Sequence, residues 1–256
     1  MTAARHIILY LNRAQSYHTP LFTTSQRLST RWRHSPACIL LKWHVVLIFY
    51  RKLIMSSRLD FYFDFSSPYG YFASTRINEL AKKYNCLVDW HPFAGDTFKP
   101  SISGTSLVQS PAKRVYMQRD YVRSANFHQI PFKVPTVFPL ETRVAARAVM
   151  WVESKFGGNK SIELAQAIFH AYYVDDKNIG DPVALAEIGV SIGLDANDLT
   201  EGMNDALTKE QARAEIDLAT AKGVFGSPFV LLDGEPFWGF DRFDQLEAAL
   251  QAKSTS

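Results

Sequence analysis

Cysteine is nearly missing from this chain of 256 residues, occurring only as Cys38 and Cys86. One lies in an N-terminal stretch and the other in the body that follows. The body therefore has no second thiol for an internal disulfide, which suits a reducing compartment. A Cys-rich zinc site is ruled out as well. The body's histidines (His91, His128 and His170) are too scattered in sequence to suggest one, so no metal is expected. Acidic residues are absent from residues 1–59, where nine Lys and Arg stand. With a net charge of +3 for the whole chain, residues 60–256 carry −6. The cationic surplus belongs to the leader, and it gives no reason to expect a nucleic-acid partner. Long apolar runs are missing too. The stretch from Cys38 to Met55 is interrupted by Lys42 and His44 and ended by Arg51 and Lys52. It falls short of the roughly 20 apolar residues that a membrane span needs.

Residues 1–54 are therefore expected to stand outside the fold. Two readings remain for them. In the first, translation is set too far upstream, with Met55 the working start and a cytoplasmic protein the result. Alternatively the Arg-rich, Ser-rich, acid-free leader is an organelle transit peptide, which would make the protein mitochondrial. Beyond the leader, the 47% hydrophobic and 13% aromatic content is enough for one large core.

Leu59-Asp60-Phe61-Tyr62-Phe63-Asp64-Phe65 is aromatic-rich with partial alternation and predicts a strand. Ser66-Ser67-Pro68 then gives a helix start, since a serine hydroxyl caps free amides and proline forfeits no bond at the first helical position. A helix over 69–84 and a strand over 86–90 follow. Strand, helix and strand in so short a stretch make a βαβ unit with parallel strands. From residue 92 the chain is irregular, with prolines at 100, 111, 131, 135 and 139 and a helix expected within 111–126. Further helices are predicted at 142–156, 161–174, from Asp181-Pro182 to about 192, near 196–205 and at 208–222. Phe229–Leu232, the turn Asp233-Gly234 and Glu235–Trp238 read as a hairpin, and Asp241 to Gln251 as a closing helix.

The fold class is thus α/β: a thioredoxin-like fold with a helical domain inserted between its βαβ and ββα halves. The expected boundaries are 58–91 and 209–252 for the thioredoxin-like domain and 92–208 for the insertion, which would wall a cleft over the start of the first helix.

Three places carry chemistry. At the strand-to-helix corner, where thiol–disulfide oxidoreductases of this fold have Cys-x-x-Cys, the residues are Ser67-Pro68-Tyr69-Gly70. Dithiol exchange is impossible there. What remains is a hydroxyl and free amides at a helix start, which either cap the helix or hold another molecule's thiolate. Gly226-Ser227-Pro228 precedes the third strand. Its X-Pro bond is either an ordinary trans turn or a cis bond that exposes the backbone of Ser227 as an edge for an extended peptide. Asp241, with Asp244 three residues on, either caps the last helix or offers a carboxylate to an ammonium group.

Taken together, Asp60 to Tyr69, Pro111-Ala112-Lys113, Phe225 to Pro228 and Trp238 to Arg242 give the chain from Arg58 to Gln251 a clear likeness. It resembles the 2-hydroxychromene-2-carboxylate isomerase family, related to kappa-class glutathione transferases and to DsbA-like oxidoreductases. The resemblance implies glutathione as cofactor and a conjugated, aromatic keto-acid as substrate, in aromatic compound catabolism. By the same resemblance Ser67 is the catalytic serine that hydrogen-bonds the glutathione sulfur. Ser227 and Pro228 pair with the tripeptide backbone, Asp241 holds its γ-glutamyl end and Lys113 its glycine carboxylate. Tyr69, Phe93 and Trp238 are candidates for an aromatic wall, though for any one of them a place in the core is the better reading. Dimers are usual among such relatives, so a homodimer is expected. Two other functions stay open: a kappa-like transferase or peroxidase, and a redox-inactive binding module.

Overall fold

The computed structural model describes residues 57–94 and 111–254. The expectations for the leader, and the loop before Lys113, lie outside the described residues. Strand β1 (Arg58–Phe63) leads into helix α1 (Pro68–Lys83) and strand β2 (Leu87–Pro92). Helices α2 (Pro111–Phe127), α3 (Arg143–Phe156), α4 (Gly158–Tyr173), α5 (Pro182–Ser191), α6 (Ala196–Asn204) and α7 (Ala206–Ala221) come next. Strands β3 (Phe229–Leu232) and β4 (Glu235–Trp238), a 3-10 turn (Phe240–Arg242) and α8 (Phe243–Ser254) complete the described chain.

The four strands form one sheet in the order β2-β1-β3-β4. β1 runs parallel to β2 and antiparallel to β3, with Phe61 opposite both Trp90 and Val230. The β3–β4 hairpin turns at Asp233 and Gly234, whose φ values are 50° and 95°. Two successive positive φ angles are what a two-residue hairpin turn needs, and Asp-Gly supplies them at low cost.

Alternation along the strands separates two cores. Leu59, Phe61 and Phe63 face one side with Trp90 and Val230, against α1 and the helical block. Phe65 and Phe169 carry this core from the sheet into α4, their ring centroids 4.7 Å apart. On the other face Tyr62, Phe93, Phe229 and Leu231 pack with Ala219 of α7 and Val224. Phe93 is therefore core, 2% exposed, which is the favoured of the two readings its sequence position allowed.

The second face also holds charge. Asp60 and His91 lie between the sheet and α7. Nδ1 of His91 is 2.6 Å from Glu215 Oε1, Nε2 is 3.5 Å from Asp60 Oδ1, and the ring stacks on Tyr62 at 4.5 Å. Lys222 donates to Asp60 at 2.9 Å and to the Tyr62 hydroxyl at 3.0 Å. Burial opposes charge on His91, but hydrogen bonds and charge from Asp60 and Glu215 win and raise its pKa to about 9. Burial likewise works against the Asp60 carboxylate, and His91 and Lys222 overcome it, holding that group below the usual carboxylate range.

Candidate active site

Ser67 caps α1. Its backbone is extended, and its Oγ accepts from Gly70 N–H at 3.1 Å. Pro68 follows at the first helical position, so the turn keeps the Tyr69 amide as a donor without an intrahelical acceptor. The Ser67 hydroxyl donates its proton to the carbonyl of Ser227 at 3.0 Å. The Ser227–Pro228 bond is cis, so the two serines predicted from separate motifs meet across the start of α1. The contact is close. A Cβ on Gly70 would fall 2.8 Å from Ser227 Oγ and 3.1 Å from the Asp64 carbonyl.

Asp64, just past the end of β1, ties the corner together. Its N–H donates to Ser227 Oγ at 2.9 Å and its carbonyl accepts from Ser67 N–H at 3.0 Å. Its Oδ1 accepts from Ser66 N–H at 2.9 Å and from the Thr142 hydroxyl at 2.7 Å. The sequence reading passed over Asp64 and Thr142. Asp64 looked like one more strand residue, and Thr142 like a plain helix start.

Aromatic residues border the corner. Tyr69 is half-buried, donates its hydroxyl to Asp120 of α2, and meets Tyr121 edge-on at 5.2 Å. Burial first, and then Asp120, push the Tyr69 phenol well above its ordinary pKa, and the same two causes raise Tyr121 to about 12. Both phenols therefore stay protonated as donors. On the opposite side Trp238 is 52% exposed and edge-on to Phe225. A Cβ on Gly226 would come within 2.5 Å of its Nε1.

Asp241 does not cap the last helix, which corrects that half of its reading. It lies inside the 3-10 turn, exposed, and bonds Arg242 at 3.1 Å. The turn is nevertheless fastened to the cis-proline, because Gly239 N–H donates to the Pro228 carbonyl at 3.0 Å. Phe240, beside Asp241, is buried against Phe72 and His128. Lys113 lies exposed in the first turn of α2, seven residues ahead of Asp120. The structure thus brings Ser67, Ser227 and Pro228 together. Among the described residues no hydrogen bond or ion pair joins Lys113 or Asp241 to them. A separate cavity of about 560 Å³ is lined by Arg58, Asp60, Asp89, His91 and Lys222, and none of the five expected site residues lines it.

A four-stranded sheet of this order, with a helix start facing a cis-proline, is the frame of thioredoxin-like proteins. The model of the DSBA-like thioredoxin domain matches residues 58–251. The chain belongs to this family. Among DSBA-like relatives, 2-hydroxychromene-2-carboxylate isomerase of Sphingobium xenophagum is 28% identical over 198 residues, covering 77% of this chain and 99% of the relative. Glutathione S-transferase kappa 2 of Caenorhabditis elegans is 29% identical over 201 residues, covering 73% and 89%. A solved 2-hydroxychromene-2-carboxylate isomerase superposes with a TM-score of 0.68 at 24% identity, covering 76% of this chain and 95% of the other. The DSBA-like fold is shared with disulfide oxidoreductases, but the helix start here carries no sulfur. Cys86, after α1, is half-buried with its thiol pushed up in pKa by burial and then by Asp233.

Proposed function

We propose that this chain is a glutathione-dependent isomerase acting on a conjugated, aromatic keto-acid, like 2-hydroxychromene-2-carboxylate isomerase. The observation that carries this reading is the Ser67 hydroxyl at the start of α1, 3.0 Å from the carbonyl beside cis-Pro228, where an oxidoreductase needs cysteine. A helix start offers amides and a favourable dipole to an anion. The residues fit a thiol-bearing peptide: Gly70 lets the start of α1 approach the Ser227 loop and Gly226 lets that loop approach Trp238, so the Ser227 backbone lies against the helix start.

Glutathione held there by the start of α1 and the Ser227 backbone would supply a thiolate nucleophile for the conjugated system and would be regenerated in each turnover. Ser67 Oγ spends its proton on the Ser227 carbonyl. An amide N–H that took over that carbonyl would release the Ser67 proton for a sulfur, and Gly70 N–H would go on fixing the oxygen. In this reading Asp241 takes the ammonium end of the peptide, Lys113 takes a carboxylate, and Tyr69 and Trp238 face a flat substrate. A homodimer belongs to the same proposal.

Calorimetric titration of the chain with reduced glutathione, repeated on Ser67→Ala, tests this. Saturable binding that the substitution weakens about tenfold is the expected result, as for one charge-assisted hydrogen bond. No binding at millimolar ligand would refute both glutathione readings and leave the redox-inactive binding module. A kappa-like transferase is the second reading, favoured by the 29% identity to the C. elegans enzyme. It predicts stoichiometric loss of glutathione during turnover, whereas the isomerase predicts none.

A further inference from the structure

The Asp64 carboxylate lies between the strand end, the Ser66-Ser67 turn and the helical block, joined to Ser66 N–H and the Thr142 hydroxyl. Thr142 occupies the N-cap position of α3 but makes no cap bond to its own helix. Its hydroxyl, on a residue only 3% exposed, goes to Asp64 instead. Ser66 adds a second link to the same segment by accepting from Leu140 N–H at 3.3 Å. Tyr172 and Tyr173 of α4 feel the Asp64 charge as well, and Tyr173 donates its hydroxyl to the Phe65 carbonyl at 3.0 Å.

A neutral acceptor would satisfy both donors to Oδ1. A carboxylate does something more, because it sets negative charge beside a helix start whose dipole favours anions. We infer that Asp64 is a positioning residue that locks Ser67 and Ser227 into register and, by its charge, restrains the ionisation of a thiol held at the start of α1. The consequence is chemical. A thiolate stabilised too strongly is a poorer nucleophile, since nucleophilicity falls as thiol pKa falls. Asp64 therefore balances the helix start, keeping the bound thiol reactive and not merely ionised. Thr142 moderates the balance by donating to the carboxylate.

This inference rests on the glutathione reading, and the test separates the two. The thiolate ultraviolet absorbance of glutathione bound to the full chain is followed against pH for the wild type, Asp64→Asn and Thr142→Val. Asn keeps an acceptor oxygen but loses the charge. As a general scale, a unit charge roughly 7 Å from a thiol at an effective dielectric of about 20 is worth on the order of one to two pH units. The bound thiol should therefore titrate about one unit lower in Asp64→Asn, and by linkage the variant should gain affinity, up to about tenfold, as pH rises through that titration. Thr142→Val, which strips a donor from the carboxylate, should shift it the other way. Opposite shifts are not what loosened packing would give. Saturable binding with the same titration in all three proteins overturns the role of Asp64 alone. No saturable binding by the wild type overturns the glutathione reading and this inference with it.

Discussion

Gly70 occupies a helical position where alanine is ordinarily better by roughly 1 kcal/mol. Here the sign reverses. The added Cβ would meet Ser227 Oγ at 2.8 Å, and that oxygen is already fixed by Asp64 N–H at 2.9 Å. The loop would have to give up its bond or move the cis-proline away from Ser67. Gly70→Ala is expected to weaken glutathione binding at least tenfold and to lower Tm by a few degrees, about 1 kcal/mol for a chain of this size. Unchanged binding in a calorimetric titration would mean that the Ser67–Ser227 contact does not matter to the ligand. At this scale the sequence was informative for Ser67, Ser227 and Pro228, because a cap followed by proline and a Gly-Ser-Pro loop leave local signatures. Asp64 and Thr142 leave none, since their partnership spans 78 residues. Asp241 was misread in part because Gly239, with φ of 104°, inserts a 3-10 turn before the helix.

Among the elements, α7 is fastened to the sheet by charge as well as by apolar packing. The His91 pKa of about 9 in the folded protein lies above the 6.5 of an unfolded histidine. Its stabilisation is therefore complete below about pH 6.5 and lost as pH rises through 9. The size is up to about 3 kcal/mol at most. Asp60 has the opposite sign: its pKa is depressed, so its contribution is present near neutrality and fades as acid protonates it. Urea unfolding of the wild type should thus show stability falling between pH 6.5 and 9, and Glu215→Gln should flatten that fall while lowering stability at neutral pH. An equal fall in the variant would remove Glu215 from the account. The element order was legible because each turn carries its own chemistry: Ser-Pro before α1, Asp-Pro before α5, Asp-Gly between β3 and β4. The charged face was missed, although Asp60 and His91 alternate with apolar neighbours in strands that are otherwise buried. That alternation was the signal.

For the whole molecule the question is whether the helical block and the sheet unfold together. One core runs through both: Phe63 and Phe65 of the corner touch Phe169 of α4 at 5.4 Å and 4.7 Å, and Tyr71 of α1 lies at 5.8 Å. Phe169 is 1% exposed, so its removal leaves a cavity shared by both parts. Phe169→Ala is expected to cost about 3–5 kcal/mol. A core that belongs to both parts couples them, because neither can open without exposing aromatic surface of the other. Far-ultraviolet dichroism, which follows the helices, and tryptophan fluorescence should then fall in one coincident transition for the wild type and for the variant, the latter at lower denaturant. Trp90 reports on the sheet and Trp151 on α3, so single-tryptophan versions can follow each part. If the Trp151 signal changed at lower denaturant than the Trp90 signal, the two parts would be independent units. The corner of Asp64, Ser67 and Thr142, which depends on their contact, would then come apart before the sheet does, and glutathione binding should be lost with the first transition.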